Sequence, residues 1–231
     1  MSSSTSNTKH PNVRAANAIP ISKLAELLPS KIGRYSLSIY AGTNTTKGLR
    51  DRMRTIFEEN MKEFLEGTLD PLQKEEEWFH PHARILVLQQ ETEGAGGQMK
   101  NKSQFVQRDF LNVVAYGVFR FDTEENADDD LEDEVLYCYE LQVSSTARRQ
   151  GLGRELLELM SLFGKQHHMK KVMLTCFKAN EDAIAFYKKI GFTNDPICPS
   201  QWADSESEEE TEEEEEEEEI DYFILSKPLN T

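Results

Sequence analysis

The chain has 231 residues, 38% hydrophobic and 29% charged, with a formal charge of −16, which is length enough for one well-buried core. Fourteen acidic side chains fall between Asp204 and Asp221, a stretch without Lys or Arg, and this leaves only −2 of the formal charge for the rest. Such a local block repels nucleic acid and suits a basic partner. No apolar run approaches the roughly 18 residues that span a bilayer, and Cys138, Cys176 and Cys198 show neither metal-ligand spacing nor a disulfide framework.

The N-terminal "MSSSTSNTKHPNVR" has no apolar leader core. A reducing compartment, nucleus and cytoplasm, is expected. Residues 1–12 are polar and expected to be disordered, and residues 13–231 are expected to form a single domain. Pro20 marks a helix start, and a helix is predicted over Ser22–Leu28. "YSLSIYAG" (35–42) alternates as a strand, and Thr45 or Thr46 can cap a helix over Lys47–Glu66 that carries Leu49, Met53, Ile56, Phe57, Met61, Phe64 and Leu65 near one face.

Three strands follow without intervening helices, at Arg84–Gln90, Phe110–Phe121 and Glu134–Ser145, which predicts an antiparallel meander. The stretches "ETEGAGGQMKNKSQ" and "DTEENADDDLED" read as loops. The period then changes. Gly151–His168 is a predicted helix, Lys170–Phe177 a buried strand, "NEDAIAFYKKIGF" a helix closed by Gly191, and Asp221–Ser226 a last strand. The intervening acidic insertion at about 203–219 is low in complexity and expected to be disordered, because its glutamates repel one another.

"RRQGLGRELL" (148–157) places two glycines where a strand hands over to a helix. Glycine removes the Cβ, so the backbone can approach a bound group, and the first helical N–H groups can take phosphate oxygens. Taken alone, a glycine pair there is more often an ordinary turn. The order of strand, R/Q-x-x-G-x-G turn, strand and "NEDAIAFYKKIGF" resembles the GNAT superfamily of acetyl-CoA-dependent N-acetyltransferases. The resemblance implies an α/β (α+β) fold with a mixed central sheet of about seven strands flanked by helices, and an N-terminal helical extension. It implies acetyl-CoA as cosubstrate without a metal. Leu141, Gln142 and Val143 would meet the pantetheine arm. Arg149, Gln150, Gly151, Leu152, Gly153 and Arg154 would hold the pyrophosphate, with Asn180 and Tyr187 near the thioester.

"DEVLYCYELQVSSTARRQGLG" and "MKKVMLTCFKAN" are similar, more narrowly, to the NatD family. These N-alpha-acetyltransferases modify the Ser-Gly-Arg-Gly terminus shared by histone H4 and histone 2A. The likeness is dense from Tyr116 to Asn180. It implies Glu140 as general base and Tyr139 as a proton relay or substrate ligand. Tyr137, Tyr139, Thr175 and Tyr222 would line the peptide site, and Asp122 would read the substrate arginine. The family has a tyrosine where this chain has Phe64.

The residues leave alternatives beside each role. Glu140 can be a solvated strand carboxylate, Tyr137 and Tyr139 aromatic core filling, and Tyr222 an ordinary strand residue. Glu124 and Asp128 to Asp130 rival Asp122. Strict alternation sets Tyr137 and Tyr139 on one face of the strand and Glu140 on the other, so one shared site requires a bulge. His80, His82, His167 and His168 lack further ligands for a metal. The expected partners are the N-terminal tails of histone H4 and histone 2A, with no membrane or direct nucleic-acid binding, and a monomer is expected. Two other functions fit the same residues: a GNAT enzyme acting on lysine or a small amine, and an acidic histone-binding or chaperone module.

Overall fold

The computed structural model describes residues 9–64, 71–91, 110–127, 131–199 and 221–229. In chain order they form α1 (Pro11–Asn17), α2 (Ile21–Ala25), β1 (Lys31–Ile32), β2 (Tyr35–Ala41), α3 (Lys47–Met61), α4 (Pro71–Trp78), β3 (Arg84–Gln90), β4 (Val113–Glu125), β5 (Glu132–Val143), α5 (Leu152–Gln166), β6 (Lys171–Phe177), α6 (Glu181–Lys189), β7 (Thr193–Asn194) and β8 (Tyr222–Pro228). The strands make one sheet in the order β1-β2-β3-β4-β5-β6-β8-β7. It is mixed: β5 and β6 pair in parallel at Leu136–Val172 and Tyr137–Met173, whereas β2–β3 and β6–β8 are antiparallel over seven residue pairs each. The two-residue strands β1 and β7 at the sheet's ends bring the expected seven or so strands to eight.

The chain packs as two compact units, and β4 and β5 run through both. One comprises Met1–Ile19, Phe119–Tyr139 and Met160–Thr231; the other comprises Pro20–Val118 and Glu140–Leu159. In the first, Phe119 stacks on Phe163 with ring centroids 5.7 Å apart, and Leu136, Val172, Phe192 and Leu225 are buried with them. In the second, Trp78 sits edge-on to Phe57 and Tyr116. Met53, Ile56 and residues 85–88 complete that apolar interior.

Several elements differ from the sequence expectation. A helix begins at Pro11, within the stretch expected to be disordered. Its free first-turn donors have a partner: the Glu134 carboxylate accepts from Asn12 N (2.8 Å), Asn12 Nδ2 (2.6 Å) and Val13 N (3.1 Å). An anion at a helix start is favoured by the macrodipole and the orphan amides. The long helix α3 starts where expected, with Thr46 Oγ1 accepting from Leu49 N, but it stops at Met61 instead of Glu66. α4 was not anticipated. Residues 1–8, Leu65, Glu66, Asp128 to Asp130 and the acidic insertion lie outside the described residues, as does most of the loop after Glu91. No helix among the described residues is long and apolar enough to cross a membrane.

Candidate active site

Burial along β5 alternates without a break from Leu136 to Val143. Cys138, Glu140 and Gln142 are buried, whereas Tyr137, Tyr139, Leu141 and Val143 are half-buried. Two contacts confirm the faces, since Gln142 reaches Glu140 and the Tyr137 and Tyr139 rings lie 4.8 Å apart. Tyr139 and Glu140 therefore project from opposite sides of this strand, as its period of two requires, and the bulge expected to bring them to one site does not interrupt the alternation of 136–143.

Glu140 is buried within the second unit. Gln142 Nε2 donates to Glu140 Oε1 at 2.8 Å, and Lys74 Nζ of α4 lies 3.6 Å from Oε2. Burial pushes the Glu140 carboxyl above the usual carboxylate range, while Lys74 and the Gln142 hydrogen bond pull it down and nearby Glu77 pushes it up. The buried Trp78 indole beside it also favours the charged form. Burial opposes the charge on Lys74 as well, but Glu140 and Glu77 outweigh this and hold it above the ordinary lysine value. Burial thus raises the proton affinity of this carboxylate, and the adjacent Lys74 ammonium and the Gln142 hydrogen bond partly offset that rise.

After β5 the chain makes a short 3-10 turn over Ser145–Ala147 and enters the glycine turn. Arg149 (φ 62°) and Gly151 (φ 80°) are left-handed, and the fifteen-residue α5 starts at Leu152. A Cβ built on Gly151 would meet nothing within 4 Å, so the turn faces open space. The first amides of α5 have no carbonyl one turn earlier in the helix to bond, and the dipole adds positive potential there. This backbone fits a diphosphate. The amides of 151–154 and the exposed Arg149 would hold it. Arg154 donates from Nε to Glu158 at 2.7 Å. Gln150 Oε1 accepts from the Tyr35 hydroxyl at 2.9 Å, and Arg34 Nη2 donates to both. Leu152 is buried and packs the helix instead of facing outward.

In the first unit a polar cluster gathers the residues assigned to the peptide. The Tyr139 hydroxyl donates to Asp122 Oδ2 at 3.0 Å, and the Arg120 guanidinium lies over the Tyr139 ring, 3.9 Å from its centroid. Burial and then Asp122 push the Tyr139 phenol far above its ordinary value, with Arg120 opposing, so the hydroxyl stays a donor at neutral pH. Tyr137 shares a 2.5 Å hydrogen bond with Thr175 Oγ1. Thr175 faces Ile224 in the β6–β8 ladder and Tyr222 faces Phe177. Of the rival acids, Glu124 is held above the usual carboxylate range by burial and then by Asp122, with Lys171 opposing.

Asn180 and Tyr187 have structural partners. Asn180 Oδ1 caps α6 by accepting from Ala183 N, and Tyr187 is buried against Phe186 and Phe192. His80 is engaged by the chain itself, its Nδ1 accepting from His82 N. Sequence reasoning missed Lys74 and Asn60, whose partners are distant along the chain. The structure also buries Trp78, to 2% exposure, beside Glu140.

Two solved structures share the fold. An acetyltransferase from Streptococcus agalactiae matches at a TM-score of 0.54 with 12% identity, covering 86% of this chain and all of that one. A GNAT-family acetyltransferase from Staphylococcus aureus matches at 0.51 with 12% identity, covering 84% of this chain and all of the other. In sequence, the chain is 36% identical over 73 residues to N-alpha-acetyltransferase 40 of Saccharomyces cerevisiae, a match spanning 29% of this chain and 26% of that protein. The sequence profile described as the Acetyltransferase (GNAT) family matches residues 53–192. With more than half its length so matched, and with the mixed sheet and glycine turn that go with it, the chain belongs to the GNAT acetyltransferase family, whose members use acetyl-CoA.

Proposed function

We propose that the chain is an N-alpha-acetyltransferase acting on the N-terminal serine of Ser-Gly-Arg-Gly termini, those of histone H4 and histone 2A. The observation that carries this reading is the state of Glu140: buried, raised in proton affinity, and held by Lys74 and Gln142. An α-amino group has a reference pKa of about 7.7 to 8.0 against about 10.4 for lysine, so a raised carboxylate suffices to take its proton. The partial likeness to the yeast N-alpha-acetyltransferase supports the same choice.

Bound acetyl-CoA would supply an acetyl group activated as a thioester: the bond from the amine nitrogen to the acetyl carbon forms as the carbon–sulfur bond breaks, and coenzyme A leaves as its thiol, its sulfur taking up the proton that the amine gives up by way of Glu140. The chain's own groups do the rest. The glycine turn fixes the cosubstrate by its backbone amides, and Leu141, Gln142 and Val143 run along its pantetheine arm. Glu140 accepts the proton that the attacking amine releases, directly or through water. Asp122, already holding the Tyr139 hydroxyl, offers a carboxylate to the guanidinium of the third substrate residue. Tyr137, Thr175 and Tyr222 gather with Tyr139 on the face of β5 away from Glu140, and this reading gives them no part at the attacking amine. Such a substrate would set the protein to work in nucleus and cytoplasm.

The test compares histone H4 N-terminal peptides with free and blocked α-amines. Acetylation of the free peptide alone supports the proposal. Equal acetylation of the blocked peptide would assign the enzyme to lysine instead.

A further inference from the structure

Asn60, one residue before the end of α3, makes three polar contacts at once. Its Nδ2 donates to the Val143 carbonyl at 3.0 Å and to Gln142 Oε1 at 2.7 Å, while its Oδ1 accepts from Arg148 Nη2 at 2.5 Å. Gln142 Nε2 passes the chain on to Glu140 Oε1 at 2.8 Å. All these residues belong to the second unit.

The direction of this chain is set by its ends. A backbone carbonyl only accepts and a guanidinium only donates, so the Asn60 amide fits one way round. Gln142 must then turn its oxygen to Asn60 and its nitrogen to Glu140. Both orientations follow from groups whose roles are chemically fixed.

We propose that Asn60 is a positioning residue that sets the polarity of an amide relay, running from the arginine at the head of the glycine turn to Glu140, and so keeps a donor on that carboxylate. The functional side of this inference rests on the reading of Glu140 as the base. A hydrogen bond donated to the charged form favours that form. It works alongside the other groups that face Glu140: Lys74, Glu77 and Trp78 from α4, and the buried Tyr116 of β4. The relay also ties the base to the turn. A shift of Arg148 reaches Glu140 through two side-chain amides, without movement of the sheet.

Reversing the polarity gives the test. In Asn60→Asp the new carboxylate can only accept, so Gln142 turns its nitrogen to that carboxylate and its oxygen to Glu140. Two acceptors then meet unless Glu140 holds a proton. The Glu140 titration, followed by carboxyl ¹³C NMR in the ligand-free protein and assigned by its loss in Glu140→Gln, is expected to move to higher pH in Asn60→Asp. The acid limb of the kcat/KM profile should move with it, and kcat should fall by up to about 10²-fold. Gln142→Met removes the donor without adding charge and should also raise the Glu140 titration. In the Gln142→Met background, Asn60→Asp should then have no further effect. An unmoved Glu140 titration in both single variants overturns the relay. A shift of the same size with and without Gln142 overturns it too, by showing that the added charge acts through space. If Glu140→Gln keeps full activity, the base assignment fails, while the NMR titrations still decide the relay.

Discussion

Lys74 Nζ lies 3.6 Å from Glu140 Oε2, although 66 positions separate them in the chain. Glu140 is buried and Lys74 half-buried, and each favours the charged form of the other. Removing either partner from a buried pair leaves an uncompensated charge, which is costlier than never having formed the pair. Lys74→Met should therefore raise the Glu140 titration further, and the acid limb of the kcat/KM profile should move to higher pH. An unmoved limb would separate Lys74 from the chemistry.

The raised proton affinity of Glu140 has a stability counterpart. Because the folded pKa exceeds the ordinary value of 4.5, the folded state holds the proton more tightly. The contribution to stability is fully present below that value and is lost as pH rises toward the folded pKa. The unfolding free energy of the wild type, taken relative to Glu140→Gln, should fall with rising pH over this window and then level off. Urea unfolding of both proteins between about pH 4 and 8 reads the difference. A flat difference contradicts the assignment.

Gly151 has φ 80° and open space around a would-be Cβ, so Gly151→Ala costs only backbone strain, about 1 kcal/mol. The variant should fold with a slightly lower Tm and bind CoA less tightly in calorimetry, by about fivefold. Unaltered CoA affinity would mean that the turn does not carry the diphosphate.

Asp122→Asn should raise KM for a Ser-Gly-Arg-Gly peptide by about tenfold, through loss of a charged pair to the arginine. The same substitution should leave KM unaltered for a peptide with alanine third. Equal effects on both peptides would assign Asp122 to holding Tyr139 alone.

Asp195 is fully buried, and Lys171 Nζ meets its Oδ2 at 2.8 Å. Its Oδ1 also accepts from Ile197 N. Asp195→Ala should cost about 3 kcal/mol in a denaturant titration, with little change in the pH profile of the remaining activity. A loss below about 1 kcal/mol would show that the pair behaves as a surface one.

Deleting residues 204–219 should slow association with basic histone peptides at low salt and leave the chemical step intact, since a dense anionic segment acts mainly on encounter. Stopped-flow binding at two ionic strengths measures this. An unchanged rate at low salt removes the steering role.

The elements legible in the sequence were those whose burial follows one period. β2, β3, β5 and β6 appear where alternation or an apolar run set them, and α3 starts at its Thr46 cap. The GNAT fold was legible from the glycine turn and its neighbours. α4 was hidden because "PLQKEEEW" has few apolar positions and reads as a charged run. Its signal in the sequence was Asp-Pro at 70–71, a residue type favoured at N-caps followed by proline, with which α4 begins. The same element carries Lys74, so the partner of Glu140 was missed with it. Asn60 was hidden for another reason. An asparagine near the end of an amphipathic helix looks like a surface residue, and only the fold brings Gln142, Val143 and Arg148 to it.

The unbroken alternation of β5 also bears on how this chain can change in length. From Leu136 to Val143 each side chain faces away from its neighbour's side, so a point substitution alters one position on one face. A single inserted or deleted residue would exchange the two faces beyond it, sending Glu140 and Gln142 toward the side of Tyr137 and Tyr139. Homologous sequences should therefore vary in composition along this strand but keep its residue count. Length variation should collect instead in the stretches before Phe110 and after Pro199, away from this strand.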